Sequence, residues 1–191
     1  MEVIAASLIT AIATVLSVWI GKKCLPRNKS CPIKNDTERS ANVYTALRYT
    51  MQTMEADRAY VLEFHNGGHY YSGRGQQKFS CTHEIAAEGI TKECIKSQEH
   101  RVSNYFEYIN ELINEKEFKY EDITQVSDSS FLMLLNRSGV KSIFNVPIKT
   151  LDGKIIGILG VDFVKEPMIQ FTQQDADFLK KESRLIAGYL V

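Results

Sequence analysis

The sequence predicts an α+β fold behind an N-terminal appendage, and three observations carry that prediction. Two runs rich in Val, Ile and Phe, residues 140–148 and 155–163, are joined by Leu151-Asp152-Gly153-Lys154, whose Asp-Gly step suits the positive φ of a tight hairpin. Amphipathic helical spacing brackets the domain, in residues 36–56 at one end and 172–190 at the other. Between them, shorter stretches alternate apolar and polar residues with the period of a strand. Strands grouped between terminal helices make an antiparallel sheet with those helices on one face and loops or short helices over the other.

Residues 3–20 hold no charged side chain. At roughly 1.5 Å per helical residue they reach about 27 Å, close to the roughly 30 Å of a bilayer core. A cleaved signal peptide would need a positive leading region and an interfacial helix a charged face. Neither is present, so residues 1–21 are expected to form a transmembrane anchor. Lys22, Lys23, Arg27, Lys29 and Lys34 follow with no acid before Asp36, and this positive bias places the following chain on the cytoplasmic side. Residues 22–34, with Pro26 and Pro32 and no apolar period, read as a basic linker to a domain over 35–191. In that domain acids slightly outnumber bases, so no nucleic-acid partner is expected. Cys24, Cys31, Cys81 and Cys94 make no CxxC pair and no zinc spacing, and their default in a reducing compartment is the free thiol.

Along the domain, Glu38 follows Asn35 at capping-box spacing, and Ala41, Tyr44, Leu47, Met51 and Met54 recur at helical spacing, which predicts the helix over 36–56. Its tyrosines and methionines extend around the surface and leave a second face for a partner copy. Residues 58–65 read as a strand ending in a turn at Asn66-Gly67-Gly68, with a loop over the sheet in 69–77. Residues 78–84 read as a second strand with Phe79, Cys81 and His83 on one face. A short helix is expected in 85–96, a strand in 101–105, and a polar helix or loop in 106–116. Ser127 or Asp128 caps a helix through Asn136, closed by Ser138-Gly139. Within the long hairpin, Gly157 and Gly160 mark places where another backbone or a helix comes close. Thr172 caps the last helix with Asp175 three residues on, and Phe178, Leu179, Leu185, Ile186 and Tyr189 form its apolar stripe.

From about residue 36 to 191 the chain resembles the GAF domain family of sensory folds. The resemblance rests on ADRAYVLEFHNG, on GVKSIFNVPIKTLDGKIIGILGVDF and on FTQQDADFLKKESRLIAGYL, and the long hairpin is its most specific part. It implies a six-stranded antiparallel sheet, a small-molecule pocket on one face under variable loops, and N- and C-terminal helices on the other face that often pair into a dimer. Bilin-binding members attach their chromophore through a cysteine commonly followed by histidine. Here Thr82 separates Cys81 from His83, and Cys94 precedes Ile95. Of the cyclic-nucleotide pattern Asn-Lys…Phe-x-x-x-Asp-Glu, Phe171 and Asp175 match the second half, Ala176 replaces its last acid, and no Asn-Lys pair precedes.

The residues themselves concentrate hydrogen-bonding and stacking groups in FHNGGHYYSG and CTHE, which suits a planar polar ligand. Phe64, His65, Asn66, Tyr70, Tyr71, Phe79, Cys81 and His83 are the candidate pocket residues, with Asn145 reaching in from the hairpin. The competing reading makes the same side chains aromatic core and loop anchors. A cation on His65, His69, His83 and Glu84 is not expected, since Ala87 stands where HExxH needs its second histidine. Some family members reduce oxidised methionine with several cysteines near the ligand. Here Cys81 alone is expected to face the pocket, so no catalytic activity is expected. The functional expectation is a membrane-anchored, cytoplasmic sensory module that binds an unidentified small molecule and signals through dimer helices or a partner. The alternative is an interaction or dimerisation module with a degenerate pocket.

Overall fold

The computed structural model describes residues 31–168 and 170–191. In chain order these form α1 (Pro32–Thr53), β1 (Arg58–His69), β2 (Gly75–Ala86), β3 (His100–Arg101), a 3-10 turn (Val102–Tyr105), α2 (Phe106–Glu115), β4 (Phe118–Tyr120), a second 3-10 turn (Ile123–Gln125), α3 (Ser129–Arg137), β5 (Ser142–Lys149), β6 (Ile155–Phe163) and α4 (Gln173–Leu190). The domain proper is the compact unit Thr37–Val191. The anchor expected over residues 1–21 lies outside the described residues. Among the described residues no helix is long and apolar enough to cross a membrane.

The strands make one six-stranded antiparallel sheet in the order β3-β2-β1-β6-β5-β4, so the α+β expectation holds for the domain. The predicted hairpin is β5–β6, with Gly153 at φ 85° in its turn, and β6 lies at the centre between β5 and β1. Strand periodicity divides its side chains between two cores. Phe144, Val146, Ile148, Leu159, Val161 and Phe163 join Ala59 and Val61 under α1 and α4, where Val43, Leu47, Leu179 and Ile186 close a helix-side core. Ile143 and Ile158 face the other way with Leu62, Phe79 and Cys81, under α2, α3 and the connections.

Several elements depart from expectation for local reasons. α1 begins at Pro32, not at the Asn35 cap, because proline suits the first helical turn, where its missing N–H costs no bond. Asn66-Gly67-Gly68 does not reverse the chain. β1 continues through it with a register irregularity, and the reversal comes at 70–74, where Tyr70 N–H donates to the Arg74 carbonyl and Gly73 N–H to that of Tyr70. The loop expected over 69–77 is thus the tip of the β1–β2 hairpin. The helix expected in 85–96 is a connection, because the Glu93 and Cys94 amides donate to the Glu84 carboxylate at 3.0 and 2.8 Å instead of propagating a helix. The strand expected over 101–105 shrinks to His100–Arg101 and passes into a 3-10 turn.

The last helix starts as its sequence predicts. Thr172 and Asp175 make a reciprocal capping box, with Asp175 N–H donating to Thr172 Oγ1 at 3.2 Å and Thr172 N–H to Asp175 Oδ2 at 2.8 Å. Its core face is Ala176, Leu179, Ser183, Ile186 and Ala187, whereas Leu185 is 45% exposed. The expected stripe thus splits at Leu185 and Ile186, with Ile186 in the core and Leu185 on the outer side.

Both hairpin glycines are needed for space. A Cβ on Gly157 would meet the Leu62 carbonyl oxygen of β1, and one on Gly160 would collide with the Tyr60 ring and Asn145 Oδ1. Gly160→Ala is therefore expected to cost about 1–3 kcal/mol as overpacking. Gly188→Ala, with nothing near its Cβ and a place in α4, should gain up to about 1 kcal/mol. Urea unfolding of the two variants checks the contrast, and equal behaviour would remove the steric account of Gly160.

Candidate functional site

The face of the sheet opposite α1 and α4 carries two adjoining arrangements. The first is an aromatic cluster joined by a hydrogen-bond chain. Asp128 caps α3 by accepting from Phe131 N–H at 3.0 Å and also accepts the Tyr108 amide at 3.1 Å, so one carboxylate sets α2 and α3 side by side. Tyr108 and Phe131 then stack with centroids 3.7 Å apart, and Phe118 meets both edge-on. Phe79 carries Phe64, His100 and Tyr105 around it. Asn145, fully buried on β5, accepts from the Tyr60 hydroxyl and donates to Tyr108 Oη, both at 2.8 Å. Burial raises the pKa of both tyrosines well above the ordinary phenol, so they stay protonated and Asn145 has a fixed orientation between them.

The second arrangement is a cavity of about 60 Å³ lined by Arg58, Tyr60, Cys81, Glu84, Cys94 and Asp162, with apolar walls from Leu135 and Val140. That is room for a few waters rather than for a cofactor of drug size. Arg58 is 2% exposed. Its Nε donates to Asp162 Oδ1 at 2.8 Å, Nη1 to the Thr91 carbonyl and Nη2 to the Ser138 carbonyl, each at 3.1 Å. The guanidinium thereby ties the β2–β3 connection and the α3–β5 turn to the sheet. Burial, offset in part by Arg58, pushes the Asp162 carboxyl up to about 6. Burial also raises both cavity thiols, Cys81 the more strongly, which opposes the activated thiolate that a thiol enzyme would need.

The structure separates the sequence-predicted pocket residues into groups. Phe64, Phe79, Cys81 and Asn145 share the loop face. His83 does not, which corrects its expected place beside Phe79 and Cys81. The register slips between Val61↔His83 and Leu62↔Cys81, and the extra residue, Thr82, turns His83 to the helix side. There its Nε2 lies 3.2 Å from Ser40 Oγ and its ring meets Tyr44 edge-on. Glu84 takes the cavity position instead. His65 bonds Ser80 Oγ at 2.9 Å near Glu99, outside the cavity. Asn66 is exposed and accepts from Gly68 N–H, Tyr70 stacks under Arg74, and Tyr71 stands fully exposed at the hairpin tip. Among the described residues no three His, Cys, Asp or Glu side chains are gathered as a cation requires. Arg58, Glu84 and Asp162, on three different strands, are not among the candidate pocket residues, although a charged side chain in a strand with apolar neighbours is a sign visible in the sequence.

The family profile described as GAF domain matches residues 38–190. The chain belongs to the GAF family. Solved structures share the GAF fold at low identity. The blue-light absorbing form of the Thermosynechococcus elongatus PixJ GAF domain superposes with a TM-score of 0.66 at 18% identity, covering 84% of this chain and 89% of that one. The photoproduct state of GAF3 from Slr1393 of Synechocystis gives 0.57 at 14%, covering 80% and 92%. A GAF domain/HD domain protein from Geobacter sulfurreducens gives 0.58 at 9%, covering 78% and 89%. No curated protein matches the chain. The GAF fold stands on these findings, and the aromatic cluster and the Arg58 cavity lie on the loop side of its sheet.

Proposed function

We propose that this GAF domain is a regulatory interaction module whose loop face is occupied by its own side chains and whose output passes through α1 and α4. The observation that carries this reading is the Tyr108–Phe131 stack locked by Asn145, which fills the face on which a bilin-sized or nucleotide-sized ligand would have to lie. The output surface is the outer side of the terminal helices. Tyr49 is 53% and Leu185 45% exposed, Phe178 packs edge-on against Tyr49, and Arg39 reaches the Val191 carbonyl to tie the two helices together. A homodimer through this side fits an apolar surface of that kind. The uncharged stretch 3–20 and the five basic residues after it support a membrane tether with the domain on the cytoplasmic side. The module has no catalytic role in this reading.

The double substitution Tyr49→Asp/Leu185→Asp is expected to convert the dimer to monomer while changing unfolding free energy by less than about 1 kcal/mol, since both sites are surface positions. Light scattering and urea unfolding of the same samples check it. A monomeric parent would sink the helix-mediated output. Ile186, fully buried, is unsuitable for this test because a charge there would unfold the domain. Cyclic nucleotides and biliverdin are expected to leave the Tm of the parent chain unchanged. A saturable stabilisation by either would restore the small-ligand sensor as the better reading.

A further inference from the structure

We propose that Cys81 and Cys94 form a reversible disulfide that locks the β2–β3 connection onto the sheet. The two residues are 13 apart in sequence, yet Cys94 Sγ donates to the Cys81 carbonyl at 3.1 Å, Cys81 Sγ donates to the His83 carbonyl at 3.6 Å, and both thiols line one small cavity. The approach is held by other bonds. Glu84 fixes the Cys94 amide, Cys81 N–H donates to the Ser97 carbonyl at 2.8 Å, and Gln98 Nε2 donates to the carbonyls of both cysteines at 2.7 and 2.6 Å. The connection is thus already closed around the sulfurs, which brings together the two side chains that a cross-link would join.

Access differs between the partners. Cys94 is half-buried and Cys81 is 5% exposed, so Cys94 meets the oxidant and Cys81 resolves the intermediate. With a hydroperoxide, the Cys94 thiolate attacks one peroxide oxygen, the O–O bond breaks, and the departing alkoxide or hydroxide takes a proton. Cys94 is left as the sulfenic acid. Cys81 then gives up its proton and attacks the Cys94 sulfur, and hydroxide leaves with that proton as water. In sum, two thiols and one hydroperoxide yield a disulfide, an alcohol or water, and a water. A dithiol reverses the step by becoming a disulfide itself. Because burial disfavours both thiolates, oxidation is slow near neutrality and accelerates as pH rises. This inference is independent of whether the loop face takes a ligand.

The test uses the full chain, treated with hydrogen peroxide, blocked with a maleimide and digested with trypsin. Cleavage after Lys92 separates Cys81, in 79–92, from Cys94, in 93–96, so the disulfide appears as one cross-linked pair that dithiothreitol dissolves. In Cys81→Ser, Cys94 is expected to persist as a sulfenic acid trapped by dimedone. Hydrogen exchange of amides 87–99 is expected to slow at least tenfold on oxidation. Cys94 linked to Cys31 or Cys24, or both peptides recovered maleimide-labelled after peroxide, overturns the disulfide, and unchanged exchange in the cross-linked protein overturns the lock. The parent chain alone decides these outcomes if a serine variant fails to fold.

Discussion

Asp162→Ala is expected to lower the unfolding free energy by about 3–5 kcal/mol, because it leaves the Arg58 guanidinium charged and buried with its Nε partner gone. The loss spreads beyond β6. Arg58 also donates to the carbonyls of Thr91 and Ser138, so its displacement frees two connections at once. Asp162→Asn separates charge from hydrogen bonding, since it keeps an acceptor, and its cost should be smaller. The pH dependence follows from burial as the dominant influence on Asp162. Its folded pKa, about 6, lies above the roughly 3.9 of an unfolded aspartate. The unfolded state therefore sheds this proton first, and the stability that the protonated carboxyl contributes is complete below about pH 4 and lost as pH rises through 6. Urea unfolding between pH 4 and 7 should show this contribution in the parent and not in Asp162→Asn. A carboxyl resonance of Asp162 titrating near 4 would remove the buried-acid account.

The parts of the fold that were readable from sequence are those decided by short-range chemistry. Asp152-Gly153 needs only a positive φ, Thr172 with Asp175 and Asp128 with Phe131 are caps closed within three residues, and the β6 glycines answer to an immediate neighbour strand. What was misread depends on one residue or one distant bond. Thr82 is a single insertion against β1, and a strict two-residue period runs straight through it and assigns His83 to the wrong face. The Glu84 carboxylate takes two amides that a helix in 85–96 would have used, and nothing in the local spacing shows that capture. Asn66-Gly67-Gly68 has the composition of a turn, but glycines also serve an irregular strand where Gly67 passes the Lys78 stem. Asn145 is a polar side chain in an apolar hairpin, a setting visible in the sequence, and it is fully buried. Its partners, Tyr60 and Tyr108, lie 85 and 37 residues away and could not be paired from spacing.

Phe131→Ala tests whether the loop face is truly filled, and it is expected to cost about 3–5 kcal/mol. Phe131 is 4% exposed, stacked on Tyr108 and edge-on to Phe118 and Tyr105, so truncation removes one wall of the cluster. The hole should persist rather than collapse. Tyr108 is held on one side by Asn145 and at its amide by Asp128, and neither bond depends on Phe131. The void opens beside the small cavity that Phe131 also lines, and a persistent void of aromatic size accepts a benzene-sized compound. Benzene is accordingly expected to raise the Tm of Phe131→Ala and to leave the parent unmoved, since a ligand stabilises only the state that binds it. A cost under about 1 kcal/mol, or an equal benzene effect on both proteins, would mean that the face is already open or rearranges freely. Ligand-sized space would then exist without mutation, and the occupied face would no longer separate this domain from a small-molecule sensor.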